Sequence, residues 1–210
     1  PGGYTYWEPS RPIPLDENNA GVLYYRPRAI VFLDDDRTGW LLAEIGHASH
    51  SPEHRLFRTL DGGVTWETTP ASVPGPSLCA ALDIAFLDMQ EGWLAGNCMD
   101  EGNPGGPSGY IYHTMSGGLS WDLVNLPAPR LPAGVDQAEI LCGPVAVDLG
   151  PVDILAVTID CRQPGNNDPL TFYFRSLDRG QTWRSWQLEG GIDFLADGLT
   201  GWQFAIPGPG

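Results

Sequence analysis

Three groups of residues have types and spacings that could do chemistry. His47, His50 and His54 form the pattern His-x-x-His-x-x-x-His, with Glu53 among them. Imidazoles of this kind hold zinc or copper, but the stretch reads as a loop whose histidines are solvated, and no metal is assigned to it. Asp100, Glu101, Asp136, Glu139 and Asp168 form a second group, with Arg130, Arg162 and Tyr110, on or beside the chain's longer connections. Their carboxylates could meet cations and their guanidinium groups anions, while Tyr110 could stack on a ligand or simply pack. The run Asp100-Glu101-Gly102-Asn103 offers oxygen ligands to calcium but lacks the ligand spacing of an EF-hand loop. Glycoside cleavage would need two carboxyl groups about 5–10 Å apart across a cleft. Nothing in the spacing selects such a pair, so no catalytic residue and no cofactor are assigned. The third group is the cysteines: Cys79 and Cys98 are 19 apart, and so are Cys142 and Cys161.

These residues are strung on a repeat. Thr59-Leu60-Asp61-Gly62-Gly63-Val64-Thr65-Trp66, Thr114-Met115-Ser116-Gly117-Gly118-Leu119-Ser120-Trp121 and Ser176-Leu177-Asp178-Arg179-Gly180-Gln181-Thr182-Trp183 share one template. It reads hydroxyl, any, Asp, any, Gly, any, hydroxyl, Trp, with Ser116 in place of Asp in the middle copy. An Asp side chain can accept hydrogen bonds from backbone N–H groups just ahead of it. The Gly supplies positive φ, the hydroxyls close the turn, and the Trp brings the largest apolar surface available. Asp61 and Asp178 are therefore turn-formers. A second repeat, an apolar run leading to Gly-Trp, precedes the octets at Gly39-Trp40 and Gly92-Trp93 and recurs at Gly201-Trp202. A degenerate copy spans Val145–Val147 and Asp153–Val157. Each unit is two apolar strands, a loop, a third strand, the octet turn and a fourth strand. Such even spacing predicts an all-β propeller of four-stranded antiparallel blades.

The octets resemble Asp-boxes, or BNR repeats, which occur in sialidases, some xyloglucan-degrading glycosidases, sortilin-type receptors and photosystem II assembly and stability factors. Pairing of a Gly-Trp strand with an Asp-box, as in Gly92-Trp93-Leu94-Ala95-Gly96 followed by Ile111-Tyr112-His113 and the second octet, is most similar to the last group. The resemblance covers most of residues 28–206 and implies a fold more than an activity. It implies that the Asp-boxes lie at the blade periphery, away from the usual binding site. A sialidase-like enzyme would need an Arg cluster, a Tyr–Glu nucleophile pair and an acidic proton donor. Arg11-Pro12-Ile13-Pro14 only partly matches the Arg-Ile-Pro segment of that family.

The predicted layout is one propeller domain, or a sector of one, over 1–210. It comprises a terminal blade remnant at 1–27, blades at 28–70, 79–125 and 142–188, and a partial blade at 190–210. Three blades and two partial ones suggest a piece of a larger ring or a truncated sequence, the rival being a small ring closed by pairing its two ends or completed by a second copy, and an unpaired blade edge predicts a partner surface. The two cysteine pairs bracket the first and second strands of their blades, and the predicted bonds are Cys79–Cys98 and Cys142–Cys161. Four buried thiols are the alternative. Disulfides persist in oxidising compartments, which predicts an extracytoplasmic protein. A formal charge of −15, with 26 acidic residues against 11 arginines and no lysine, speaks against nucleic acid. The same acidity favours basic partners. No run of about 18 apolar residues is present to span a membrane. The longest connections, between second and third strands and between blades, emerge on one face, and the tight octet turns on the other. The elaborated face, with Asp100, Glu101, Tyr110, Arg130, Asp136, Arg162 and Asp168, is the candidate binding surface. Missing catalytic motifs favour a non-catalytic scaffold for a protein partner or the rest of the ring, with a homo-oligomer as one such arrangement. A secreted glycoside hydrolase acting on glycans is the alternative.

Overall fold

The computed structural model describes residues 22–47, 53–70, 73–74, 79–98, 109–136, 140–150, 154–162, 170–188, 192–194 and 201–203. The described residues contain strands and turns and no helix. Blade A consists of β1 (Val22–Phe32), β2 (Gly39–His47), β3 (Glu53–Thr59) and β4 (Glu67–Thr68). Blade B consists of β5 (Cys79–Phe86), β6 (Gly92–Cys98), β7 (Gly109–Thr114) and β8 (Asp122–Val124). Blade C consists of β9 (Leu141–Gly150), β10 (Ile154–Arg162), β11 (Leu170–Ser176) and β12 (Arg184–Leu188). A further antiparallel pair joins β13 (Ile192–Phe194) to β14 (Gly201–Gln203). Each blade is an antiparallel meander whose spatial order is its chain order. The first strands of the blades lie side by side, β5 against both β1 and β9. This is the fan of a β-propeller, with open sheets among the described residues.

Second strands hold the fan together. The run from Gly39 to Gly46 is buried on both faces. Trp40 and Leu42 point from blade A into blade B, where they meet Ile84, Phe86 and Leu94. Trp93 and Ala95 in turn join Val157, Phe172 and Phe174 of blade C. The Trp40 ring stacks on Phe86 at 3.9 Å between centroids, and both Trp40 and Trp93 are wholly buried. Truncating either indole to Ala removes about 3–5 kcal/mol. The inner strands of blades A, B and C bulge at the same place, between Pro27 and Ala29, between Ala81 and Asp83, and between Pro144 and Ala146. A bulge adds twist and re-aims the neighbouring side chains.

The octets close the third-to-fourth strand hairpins. In the first, Asp61 Oδ1 accepts from the Thr65 N–H at 2.8 Å and Oδ2 from the Thr65 hydroxyl at 2.6 Å, while the Gly63 N–H donates to Thr59 Oγ1 at 2.9 Å. Asp178 repeats this with Thr182 and Ser176. Ser116 does it in part, its hydroxyl accepting from the Ser120 N–H at 2.9 Å. Gly63, Gly118 and Gly180 have φ of 85°, 92° and 87°. The turn also bonds the first hairpin of its own blade, with Gly62 N to Arg37 O at 2.8 Å and Gly117 N to Gln90 O at 2.7 Å. At the other end of blade C, a disulfide joins Cys142 to Cys161 across β9 and β10. Closing a loop of about 20 residues contributes roughly 3 kcal/mol on the chain-entropy account. Cys79 and Cys98 occupy directly opposed positions of β5 and β6; their side chains lie outside the described set.

Candidate functional site

The end of blade A away from its octet carries a polar cluster. Arg26 of β1, Glu44 of β2 and His54 of β3 are successive cross-strand partners. Directly opposed residues of antiparallel strands share a face, so the three side chains form a row across the sheet. Alternation along β2 places Glu44 on the side of Trp40 and Leu42, toward blade B. Gly46 is what lets Tyr24 reach this row. A Cβ on Gly46 would stand 2.1 Å from the Tyr24 ring, so only glycine leaves room for the ring against the strand. From there the Tyr24 hydroxyl donates to Glu44 Oε1 at 2.8 Å. Arg28, the extra residue of the β1 bulge, donates Nε to Glu44 Oε2 at 2.9 Å, and its Nη2 bonds the same oxygen. Arg26 Nη1 is 3.7 Å from Oε1, with its guanidinium 5.3 Å over the Tyr24 ring.

Exposure is graded across the cluster. Glu44 is 4% exposed and Tyr24 39%; the Arg26 side chain is 58% exposed. A buried carboxylate therefore stands beneath an exposed phenol and an exposed guanidinium. Burial pushes the Glu44 carboxyl up, but hydrogen bonds from Arg28 and Tyr24 and the charges of Arg28 and Arg26 outweigh it, and the net shift is down. Glu44 is held ionised. Tyr24 is raised, chiefly because Glu44 accepts its proton in a hydrogen bond. Burial lowers His54, with the attraction of Glu44 opposing that shift and the repulsion of Arg28 adding to it. Its Nε2 is buried without a hydrogen-bond partner, 3.9 Å from Glu44 Oε2. Beside the row, Glu53 Oε1 is 2.7 Å from Arg55 Nη2 and 3.7 Å from His47 Nε2.

A second feature is the groove of about 860 Å³ between β1, β5 and β9. Asp83 and Asp148 project where the repeat elsewhere places Ala29 and Ala146, and Val31 and Ala85. Asp83 Oδ2 accepts from the Val147 N–H at 3.0 Å, a bond between blades B and C. Burial, and to a lesser extent the nearby Asp148 charge, raises Asp83 against two backbone hydrogen bonds. Asp148 is open to the groove at its surface, but the surrounding strand walls displace enough water to raise it too.

The residues singled out from sequence are described only in part. Tyr110 lies on β7, 8% exposed, its ring over Gly96, which a Cβ would bring to 2.1 Å. Burial raises its hydroxyl far above the ordinary value. Arg130 and Asp136 are exposed on the connection from β8 to β9, and Arg162 is exposed at the end of β10. Asp100, Glu101, Glu139, Asp168 and His50 lie outside the described residues. His54 stands on β3 and His47 at the end of β2, not on a loop as expected, because the strands extend further into the second connection. Among the described residues no group of three His, Cys, Asp or Glu is placed to hold a metal. Tyr24, Arg26, Arg28 and Glu44 were not singled out. Their one signal was a charged residue inside the apolar second strand, where Leu42-Ala43-Glu44-Ile45 breaks the run.

No protein-family profile matches the chain, and no curated protein matches it. Among solved structures it is similar to Trypanosoma rangeli sialidase, at 17% identity over 79% of this chain and 30% of that one, with a TM-score of 0.49. It is similar to an ulvan lyase, a polysaccharide lyase, at 13% identity over 78% of this chain and 43% of that one, TM-score 0.44. It is also similar to the α-L-arabinanase of Penicillium chrysogenum, at 14% identity over 85% and 69%, TM-score 0.33. These proteins are glycoside hydrolases and a lyase. The chain spans less than half the length of the first two. The narrower likeness to photosystem factors rests on the Gly-Trp and octet residues alone.

Proposed function

We propose that this chain is part of an extracytoplasmic propeller that acts on acidic glycans, with its site at the Tyr24–Glu44 pair. The observation that carries the reading is the 2.8 Å hydrogen bond from an exposed phenol to a buried, ionised carboxylate, with two arginines beside it. A phenol becomes a nucleophile when an adjacent base takes its proton, and a tyrosine in that role is one of the known departures from the two-carboxylate scheme of glycosidases. Tyr24 oxygen would attack the anomeric carbon while Glu44 accepts its proton; water would then release the sugar. Arg26, exposed beside the ring, would meet a sugar carboxylate. The leaving oxygen needs a proton from a carboxylic acid, and that acid is not assigned among the described residues. The Cys142–Cys161 bond suits an oxidising compartment, and no helix among the described residues is long and apolar enough to cross a membrane.

The test is turnover of fluorogenic sialosides and uronides and of uronate-containing polysaccharides by the chain. Tyr24→Phe is expected to lower kcat/KM by about 10²-fold or more, the scale of a lost positioned proton-transfer group, while its thermal unfolding shows only the loss of one hydrogen bond, about 1–3 kcal/mol. Wild-type chain inert on all of these substrates, or Tyr24→Phe as active as wild type, would reject the assignment.

A further inference from the structure

The octet turns expose apolar side chains that the turns themselves do not use. The second octet position is Leu60, Met115 or Leu177, which are 46%, 59% and 59% exposed. The sixth is Val64 in the first copy and Leu119 in the second, 53% and 52% exposed, and Met89 on the adjoining hairpin is 48% exposed. The hydrogen bonds that close the turn run through the hydroxyls, the Asp or Ser, the backbone and, in the third copy, the Trp183 indole, and none involves the second or sixth side chain. A polar residue would serve the turn equally well at the second and sixth positions. Because the position recurs in each blade, Leu60, Met115 and Leu177 form a row along one face of the fan. Exposed apolar side chains that recur on one face beside a charged groove are the kind of surface a partner covers.

The groove between the inner strands opens on the same face. Asp34, Asp35 and Asp88 stand at its mouth, Asp83 and Asp148 further in, with Phe32, 37% exposed, on its wall. No Arg, Lys or His lines it. Asp35 and Asp88 sit below their ordinary range because backbone N–H groups bond them, so they stay charged. The turns of this face add Asp36, Asp61 and Asp178 against Arg37 and Arg179, and Arg179 is engaged by Glu91 at 2.9 Å.

We propose that the octet face docks a basic, amphipathic protein segment. Its apolar side chains would lie on the Leu60–Met115–Leu177 row, and its cationic ones would enter the carboxylate-lined groove. Charge complementarity selects this occupant. A second copy docking by the same face would set acidic turns against acidic turns, and an anionic bilayer would be repelled likewise. The proposal stands independently of the glycan site, which lies at the other end of blade A.

The test titrates the whole chain with a labelled helical peptide of leucine and lysine segregated to opposite faces. Saturable binding is expected, weakening as salt is raised. It should fall at least ~10-fold, about 1.4 kcal/mol, in the triple variant Leu60→Ser, Met115→Ser, Leu177→Ser. These side chains are exposed, so the thermal unfolding of the variant should match wild type; Asp148→Asn should separately weaken the peptide several-fold. Equal affinity for a lysine peptide without an apolar face would overturn the proposal, as would unchanged affinity in the triple variant. So would self-association, or binding to phosphatidylserine vesicles, that the triple variant abolishes while peptide affinity stays the same.

Discussion

The two ends of these strands follow different rules. At the octet end, three blades place the same atoms in nearly the same bonds: Thr59, Thr114 and Ser176 each accept a glycine N–H at 2.7–3.0 Å. At the opposite end the blades diverge. The position held by Glu44 in blade A is Asn97 in blade B and Asp160 in blade C, each reached by counting from the matched strand start. Only Glu44 has Tyr24, Arg26, Arg28 and His54 around it, whereas Asp160 accepts a single hydroxyl from Thr171 at 2.7 Å. Repetition marks what every blade needs in order to close. A departure from the repeat that gathers partners marks what one blade does alone.

The strongest way to break this contrast is to empty the unique end. Glu44→Ala leaves Arg28 half-buried beside an unfilled space and removes the acceptor of Tyr24. Removing one partner of a buried pair destabilises by about 3 kcal/mol or more, and urea unfolding should show that loss. Asp160→Ala, at the matching place in blade C, should lose only about 1 kcal/mol, the worth of an ordinary hydrogen bond. Similar losses in both variants would mean that the cluster is packing and nothing else. Gly46→Ala should act more mildly, by about 1–3 kcal/mol, as an overpacked site does. Its sharper readout is Tyr24: with the ring pushed off the strand, its raised hydroxyl should return toward 10.0, the ordinary phenol value, in an ultraviolet titration. An unchanged titration would separate Gly46 from the placement of Tyr24.

The contrast also explains what could be read from the chain. The propeller was legible because its determinants are local and repeated. All partners of Asp61 lie within four residues of it, and the Gly-Trp strand announces the buried wedge in two full blades. The polar cluster was not legible because its members come from three strands and meet through register. Tyr24 and Glu44 are separated by 20 residues, and their meeting depends on two bulges in β1 and on the missing side chain of Gly46. The groove carboxylates were hidden for a related reason. Asp83 and Asp148 occupy different positions of the repeat, so no alignment of the blades pairs them. They meet because β5 and β9 adjoin, a fact of the fan. Asp83 in Leu82-Asp83-Ile84 and Asp148 in Val147-Asp148-Leu149 did carry one cue, a carboxylate within an apolar strand.

The smallest expected effect tests the octet end, where one copy differs. Hydrogen bonds from Thr65 lower Asp61 from 3.8 to about 2, and those from Thr182 and Ser176 lower Asp178 by the same amount. A carboxylate whose pKa is depressed in the folded state contributes stability that is fully present above its unfolded value and lost as pH falls through the folded one. The first and third turns should therefore loosen between about pH 4 and pH 2. Blade B has Ser116 at this place, so its turn should not change in that window. Amide exchange followed by NMR reads the turns separately: Thr65 and Thr182 should lose protection on acidification while Ser120 does not. Ser116→Asp should bring the second turn into line, with a new carboxyl titrating near 2 and a Ser120 amide protected at neutral pH and released in acid. If instead the new carboxylate titrated near its ordinary value, the middle turn would differ from its sisters in backbone as well as in side chain, and the octets would be three similar solutions rather than one solution used three times.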